Sequence, residues 1–305
     1  MPSESGLPRL TSAALVVGVA ALMSGCVRTV EPTASSTASD PKPAAAASAT
    51  TASSSKTVAQ PPVELPAWAK ADPFAALPPV QGATIRVGGD EKIKAEQRGE
   101  SWSSGTCLID TPLPDGYPAP TPPGAIELKR YPLVRRAEVR GESSPDFATN
   151  IGFFPLFNHI KRRDIAMTSP VEVDYRELRT EYPADEPPRG TAWNMAFLYR
   201  KVDQGPAGAD PKNKNVIVRD LEPITVLAIG LKGPYSMGAI ADGATELEKW
   251  LASNPEWEAI GSDARGLYYN GPNRRDRDKW AEAQIQVRYV GVKPAKSKAA
   301  PTTKN

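Results

Sequence analysis

His159 is the only histidine in the chain. Metal sites built from two imidazoles and constellations needing more than one histidine are therefore excluded. A neutral imidazole binds iron well, and His159 follows the rings of Phe153, Phe154 and Phe157. The competing expectation is a half-exposed histidine near a helix C-terminus, where positive charge suits the dipole. Lys161, Arg162 and Arg163 come next, and Arg274, Arg275 and Arg277 form a second basic group. Guanidinium forks match carboxylate geometry, although solvated charge also explains such clusters. Met167 and Met195 are either soft iron ligands or core fillers. Glu172 and Asp174 share one strand face beside Tyr175, so either a pocket base or a solvent-facing strand edge accounts for them. No G-x-S-x-G, H-E-x-x-H, Walker or G-x-G-x-x-G element is present.

Phe147, Ile151, Phe154 and Phe157 or Asn158 recur at steps of three and four, which predicts one face of a helix. Pro155 lacks an amide proton, which places the helix start near Phe153 or a kink there. Ile165 to Tyr175 reads as a strand with Pro170 at its entrance. Alternation sets Trp193, Met195, Phe197 and Tyr199 on one strand face, as core or pocket wall. A second helix carries Ile240, Ala244, Leu247 and Leu251, with Asp242 and Glu246 on its other side. Two strands around Tyr131-Pro132 and two around Glu222-Pro223 begin similar halves. The expected fold is α+β, with a duplicated unit of antiparallel strands plus one helix.

Gly152-Phe153, the aromatic helix and Ile165-Ala166-Met167-Thr168-Ser169-Pro170-Val171 together resemble the signature of SOUL haem-binding proteins. Ile126 to Pro132, Val216 to Gly233, Tyr268 to Pro272 and Ala283 to Arg288 are similar to that family's other strands. The resemblance covers residues 124–292 and implies a curved, barrel-like sheet flanked by two helices. It also implies noncovalent binding of haem or a related tetrapyrrole. Phe153, Phe154, Phe157, Met167 and Trp193 would then form the apolar site, with Arg162 and Arg163 on the propionates and His159 as candidate metal ligand.

Residues 1–25 combine Arg9 with an apolar run from Ala13 to Met23, shorter than the roughly 20 residues of a spanning helix, and read as a signal peptide. Met23-Ser24-Gly25-Cys26 resembles a bacterial lipoprotein cleavage box, making Cys26 the lipidated residue and the membrane a partner. The alternative is ordinary secretion. Two or more acyl chains suffice for stable anchoring. Val27 in place of aspartate resembles outer-membrane sorting where two membranes exist. Residues 26–66 are rich in Ala, Ser, Thr, Pro and Lys and read as a disordered tether. Residues 293–305 read as a disordered basic tail.

Residues 67–123 read as an irregular accessory segment with strand-like pieces at Thr84–Val87 and Cys107–Ile109. Cys107 has no intrachain partner once Cys26 is lipidated, and reads as a buried or inert thiol. A formal net charge of +2 offers no field for nucleic acid. The expectation is an extracytoplasmic, lipid-anchored tetrapyrrole-binding module. Two alternatives stand beside it: a small-molecule hydrolase using Glu172 or Tyr175, and an envelope scaffold without ligand.

Overall fold

The computed structural model describes residues 72–142, 145–179 and 192–291. The leader, Cys26, the tether, the C-terminal tail and the side chain of Phe147 lie outside the described residues. The family-like region opens with β5 (Ala125–Tyr131) and β6 (Val134–Gly141), then α1 (Pro145–Arg162), β7 (Val171–Tyr175) and β8 (Trp193–Leu198). The same order repeats as β10 (Ile217–Leu221), β11 (Ile224–Lys232), α2 (Met237–Ser253), β13 (Ala264–Tyr268) and β14 (Trp280–Tyr289). Three further strands complete the sheet: β1 (Ala83–Gly89), β9 (Gly208–Ala209) and β12 (Trp257–Ala259).

The two strands at the start of each half do not form a hairpin. Pro132-Leu133 and Glu222-Pro223 offer no residue suited to the positive φ that a tight two-residue hairpin requires, and proline cannot donate to a ladder. Instead β5 pairs with β11, and β10 pairs with β6. The sheet order is β1-β5-β11-β14-β13-β7-β8-β6-β10-β9, with β12 joining β14. From β5 to β10 this order maps onto itself when the halves are interchanged. Each half has given its first strand to the other, around a central β7–β13 ladder.

The expected barrel-like sheet is not formed. Closure needs the two terminal strands to pair with a fixed stagger. Among the described residues the path ends at β1 on one side and β9 on the other, without a ladder between them. β9 is only two residues long, and β1 carries a register shift between Arg86 and Gly88, so both edges are poor templates.

Both helices cover one face of this open sheet. α1 continues through Pro155, against the expectation of a start near Phe153. The carbonyl that proline leaves unpaired belongs to Ile151, which faces solvent and loses little there. Leu156 and Ile160 bury under α1, while Ile240, Ala244 and Leu247 bury under α2. Ser236 caps α2 by accepting the Ala239 amide at 3.1 Å. Glycines bring each helix close to the sheet: a Cβ on Gly152 would lie 3.0 Å from Met195 Sδ, and one on Gly243 would lie 2.6 Å from Ala283 Cβ.

The N-terminal segment is more regular than expected. Thr84–Val87 belongs to β1, which extends the main sheet, and Cys107–Ile109 is β4 of a separate sheet with β2 (Glu96–Arg98) and β3 (Ser101–Ser104). Cys107 and Ile109 pack with Val226, Ala228, Leu267 and Trp280 on the face opposite the helices. Residues 95–117 therefore cap the side of the sheet that the helices leave bare, while Phe74 and Leu77 join the helix-side core.

Candidate functional site

Thr168 and Ser169 fix the entrance to β7 by hydrogen bonds that only hydroxyls at these positions make. Thr168 Oγ1 donates to the Leu198 carbonyl at 2.6 Å, and Ser169 Oγ donates to the Tyr269 carbonyl at 3.1 Å. Both side chains are buried, and the Ser169–Pro170 peptide is cis. The most specific motif of the sequence is thus a clamp joining the two halves. Met167, beside it, packs half-buried against the helix-side core.

Under α1 the aromatic groups interdigitate. Phe153 stacks on Phe157 at 5.9 Å and meets the edge of Phe197 at 5.0 Å. Trp193 is only 2 % exposed and lies beneath Gly152 with Met195. Phe154 and Ile151 point outward, each 56 % exposed. The structure brings Phe153, Phe154 and Phe157 together, and separates Phe154 from the buried Trp193. An interior seat for a flat ring between α1 and the sheet would require these side chains to part.

His159 is fully buried, which corrects the half-exposed alternative. Its Nδ1 bonds the Asp210 carboxylate, and its Nε2 lies 2.7 Å from Tyr199 Oη. An iron ligand would have to displace one of these partners. Burial lowers the histidine pKa more than Asp210 raises it, so the neutral ring is favoured. Asp210 also accepts the amides of Lys212 and Asn213 and pairs with Arg162 at 3.1 Å. Arg163 Nε stands 3.8 Å from the same carboxylate. Burial disfavours the charged Asp210, yet these partners hold its pKa well below the usual range. Sequence spacing gave no signal for Asp210, which is 51 residues from His159.

Glu172 and Asp174 face away from the helices, within a five-strand ionic lattice. Neither stands on an edge, because β7 lies between β8 and β13. Arg136 donates to Glu172, Asp174 and Glu138, all at 3.1 Å, and Arg265 donates to Glu172 at 2.6 Å and Gln284 at 3.0 Å. Gln284 then donates to Glu282, which also accepts from Lys129 at 2.8 Å and Tyr269 at 2.6 Å. Burial disfavours the charged Asp174, but Arg136 and Arg265 outweigh it and lower its pKa. Tyr175 is on the opposite face, with its hydroxyl 2.6 Å from that of Tyr268. Glu172 and Tyr175 therefore do not share a site, and both Glu172 oxygens already accept charged hydrogen bonds.

The described surface opens in at least two clefts. One, of about 280 Å³, runs beside the start of α2 over Tyr235, Ile240 and Tyr268. The other, of about 330 Å³, lies between β3 and residues 112–117, above the lattice. The first lies just below, and the second at the small end of, the roughly 300–1,000 Å³ typical of ligand pockets.

Residues 119–279, more than half of the chain, match the family described as SOUL heme-binding protein. The chain belongs to the SOUL family. The match contains α1, the Thr168-Ser169 clamp, the β7–β13 centre and most of the ionic lattice. Most of the capping segment precedes it. No curated protein matches the chain. Among solved structures, the C-terminal domain of EcmrR is 18 % identical, with a TM-score of 0.42, over 54 % of this chain and 98 % of that one. An uncharacterized conserved protein from Listeria innocua is 12 % identical, with a TM-score of 0.40, over 56 % and 94 %. A hydrolase from the same organism is 13 % identical, with a TM-score of 0.39, over the same shares.

Proposed function

We propose that this SOUL module binds haem or a related tetrapyrrole noncovalently on the outer face of α1, and that Cys26 carries a lipid anchor holding it outside the cytoplasm. The observation that carries the ligand reading is the exposure of Ile151 and Phe154 on one helix stripe that ends at Lys161 and Arg162. At 1.5 Å rise per residue, Ile151 to Lys161 spans about 15 Å, so an apolar ring can lie along the stripe with its acid groups at the basic end. Phe153 and Phe157, half-buried below, stiffen that surface. This seat differs from an interior groove lined by Trp193 and Met167, for which the packing under Gly152 leaves no room. It also uses no iron ligand from His159, whose ring nitrogens are engaged. A bound haem would supply its own redox or sensing chemistry; the chain's part is to hold the macrocycle and neutralise its carboxylates. The anchor reading is supported by Met23-Ser24-Gly25-Cys26 and by the short apolar run before it.

Hemin titration of the purified chain tests the ligand reading. A shifted Soret band is expected, weakened about tenfold by Phe154→Ala, in line with the loss of one aromatic stacking partner. An unaltered hemin spectrum removes the proposal. Mass determination of the membrane-extracted protein tests the anchor: a mature chain beginning at unmodified residues rejects it.

A further inference from the structure

We infer that the cleft between β3 and residues 112–117 is a second, separate binding site, for a neutral saccharide of one or two rings. Apart from Ala119 and Arg200, every residue lining it precedes the family match, so the cap builds it as an addition to the SOUL module. Its lining is more polar than that of the cleft beside α2, and its one guanidinium is paired with both of its carboxylates. Arg200 Nε donates to Asp115 at 2.8 Å, and its Nη2 lies 2.7 Å from Glu100. A fork held between two carboxylates leaves one surplus negative charge, which disfavours an anionic guest. It also leaves fixed oxygen acceptors at the rim, beside Gln97.

Trp102 and Tyr117 supply the other half of the chemistry. Both are half-buried rings on the cleft wall, and Pro112 and Pro114 add stiff apolar surface. Tyr117 is doubly fixed: its ring meets the edge of Tyr131 at 4.9 Å, and its hydroxyl donates to Glu172 at 3.3 Å. Sugar rings present an apolar C–H face and an equatorial belt of hydroxyls. Flat rings flanked by prepaired planar polar groups answer both parts at once. A volume of about 330 Å³ limits the guest to a short unit.

Saturation-transfer NMR on the full chain, with cellobiose and N,N′-diacetylchitobiose as probes, tests this. Transfer to the C–H protons of at least one disaccharide is expected, with affinity lowered about tenfold by Trp102→Ala and largely kept by Trp102→Phe. No transfer from either sugar to the wild-type chain overturns the inference. So does unchanged transfer in a folded Trp102→Ala variant. Should that variant fail to fold, Arg200→Lys, which loses the fork at the surface, is judged the same way: undiminished binding rejects the site. Hemin titration reads the α1 surface separately, so the two readings fail independently.

Discussion

His159 Nε2 lies 2.7 Å from Tyr199 Oη, tying the last turn of α1 to the end of β8. With Asp210 on the other ring nitrogen, one imidazole joins three segments that are remote in sequence. Replacing it with leucine keeps an apolar volume but strands both partners. His159→Leu is expected to destabilise the fold by about 1–3 kcal/mol in urea denaturation, the cost of unpaired buried polar groups.

The same contact predicts a pH dependence. Burial, outweighing Asp210, places the folded-state pKa of His159 below its unfolded value of about 6.5. As pH falls through about 6.5 the unfolded chain takes up a proton that the folded chain refuses, so stability declines there. The nearby groups are Asp210 and Tyr199 as direct partners and Arg162 and Arg163 as unfavourable charges. Asp210 titrates far lower, and Tyr199 is pushed up to about 12, so neither contributes between pH 5 and 7. Urea midpoints over that range should fall for the wild type and stay flatter for His159→Leu.

Glu172→Gln removes the charge that faces two guanidinium groups. Arg136 and Arg265 would then share Asp174, and of the two only Arg136 also reaches Glu138, which Arg219 and Asn194 already engage. Breaking one partner of a buried pair typically costs about 3–5 kcal/mol. The prediction is a large drop in thermal midpoint that added salt changes little, because the pair lies out of reach of screening ions. A small drop would mean that the lattice is wetter than its burial indicates.

The two helix glycines should respond differently to alanine. Both substitutions gain up to about 1 kcal/mol of helix propensity. At Gly152 the added carbon meets the Met195 sulfur and the Trp193 ring, both at 3.0 Å, which a shift of a few tenths of an ångström relieves. At Gly243 it meets the short Ala283 side chain, at 2.6 Å, which cannot yield without moving the sheet. Gly243→Ala is expected to destabilise by about 1–3 kcal/mol, and Gly152→Ala by much less, on the same denaturation scale.

Cys107 is 1 % exposed, and burial raises its thiol pKa. Alkylation in native buffer should be slow, then fast once the cap is unfolded by urea, with thiolate access as the controlling variable. Rapid native labelling would show that the β2–β4 sheet lifts away from the main one.

Periodicity made much of this fold readable. Ile240, Ala244 and Leu247 are buried on α2 as their spacing requires, and Trp193, Met195, Phe197 and Tyr199 share the helix-side core. The duplication was visible because both halves repeat strand, proline corner, strand and helix. Pairing was not, since hydrophobic alternation says which face a residue occupies and nothing about which strand lies beside it. Pro132 and Pro223 held the clue, because neither corner suits a closed hairpin. The lattice escaped for a related reason: Arg136, Glu172 and Arg265 look like surface residues until three strands set them side by side. Asp210 and the cap could be found only from long-range contacts, which leave no periodic trace.

The exchange of β5 and β10 has a consequence for how such a chain comes into being. Neither repeat carries all the ladders its own strands need, so cutting between Leu198 and Ile217 should yield two fragments that stay unstructured apart and regain order only on mixing. During synthesis the first repeat must wait, with its sheet edges bare, until the ribosome has released the second. Duplication here has produced an obligate couple in one polypeptide rather than two beads on a string.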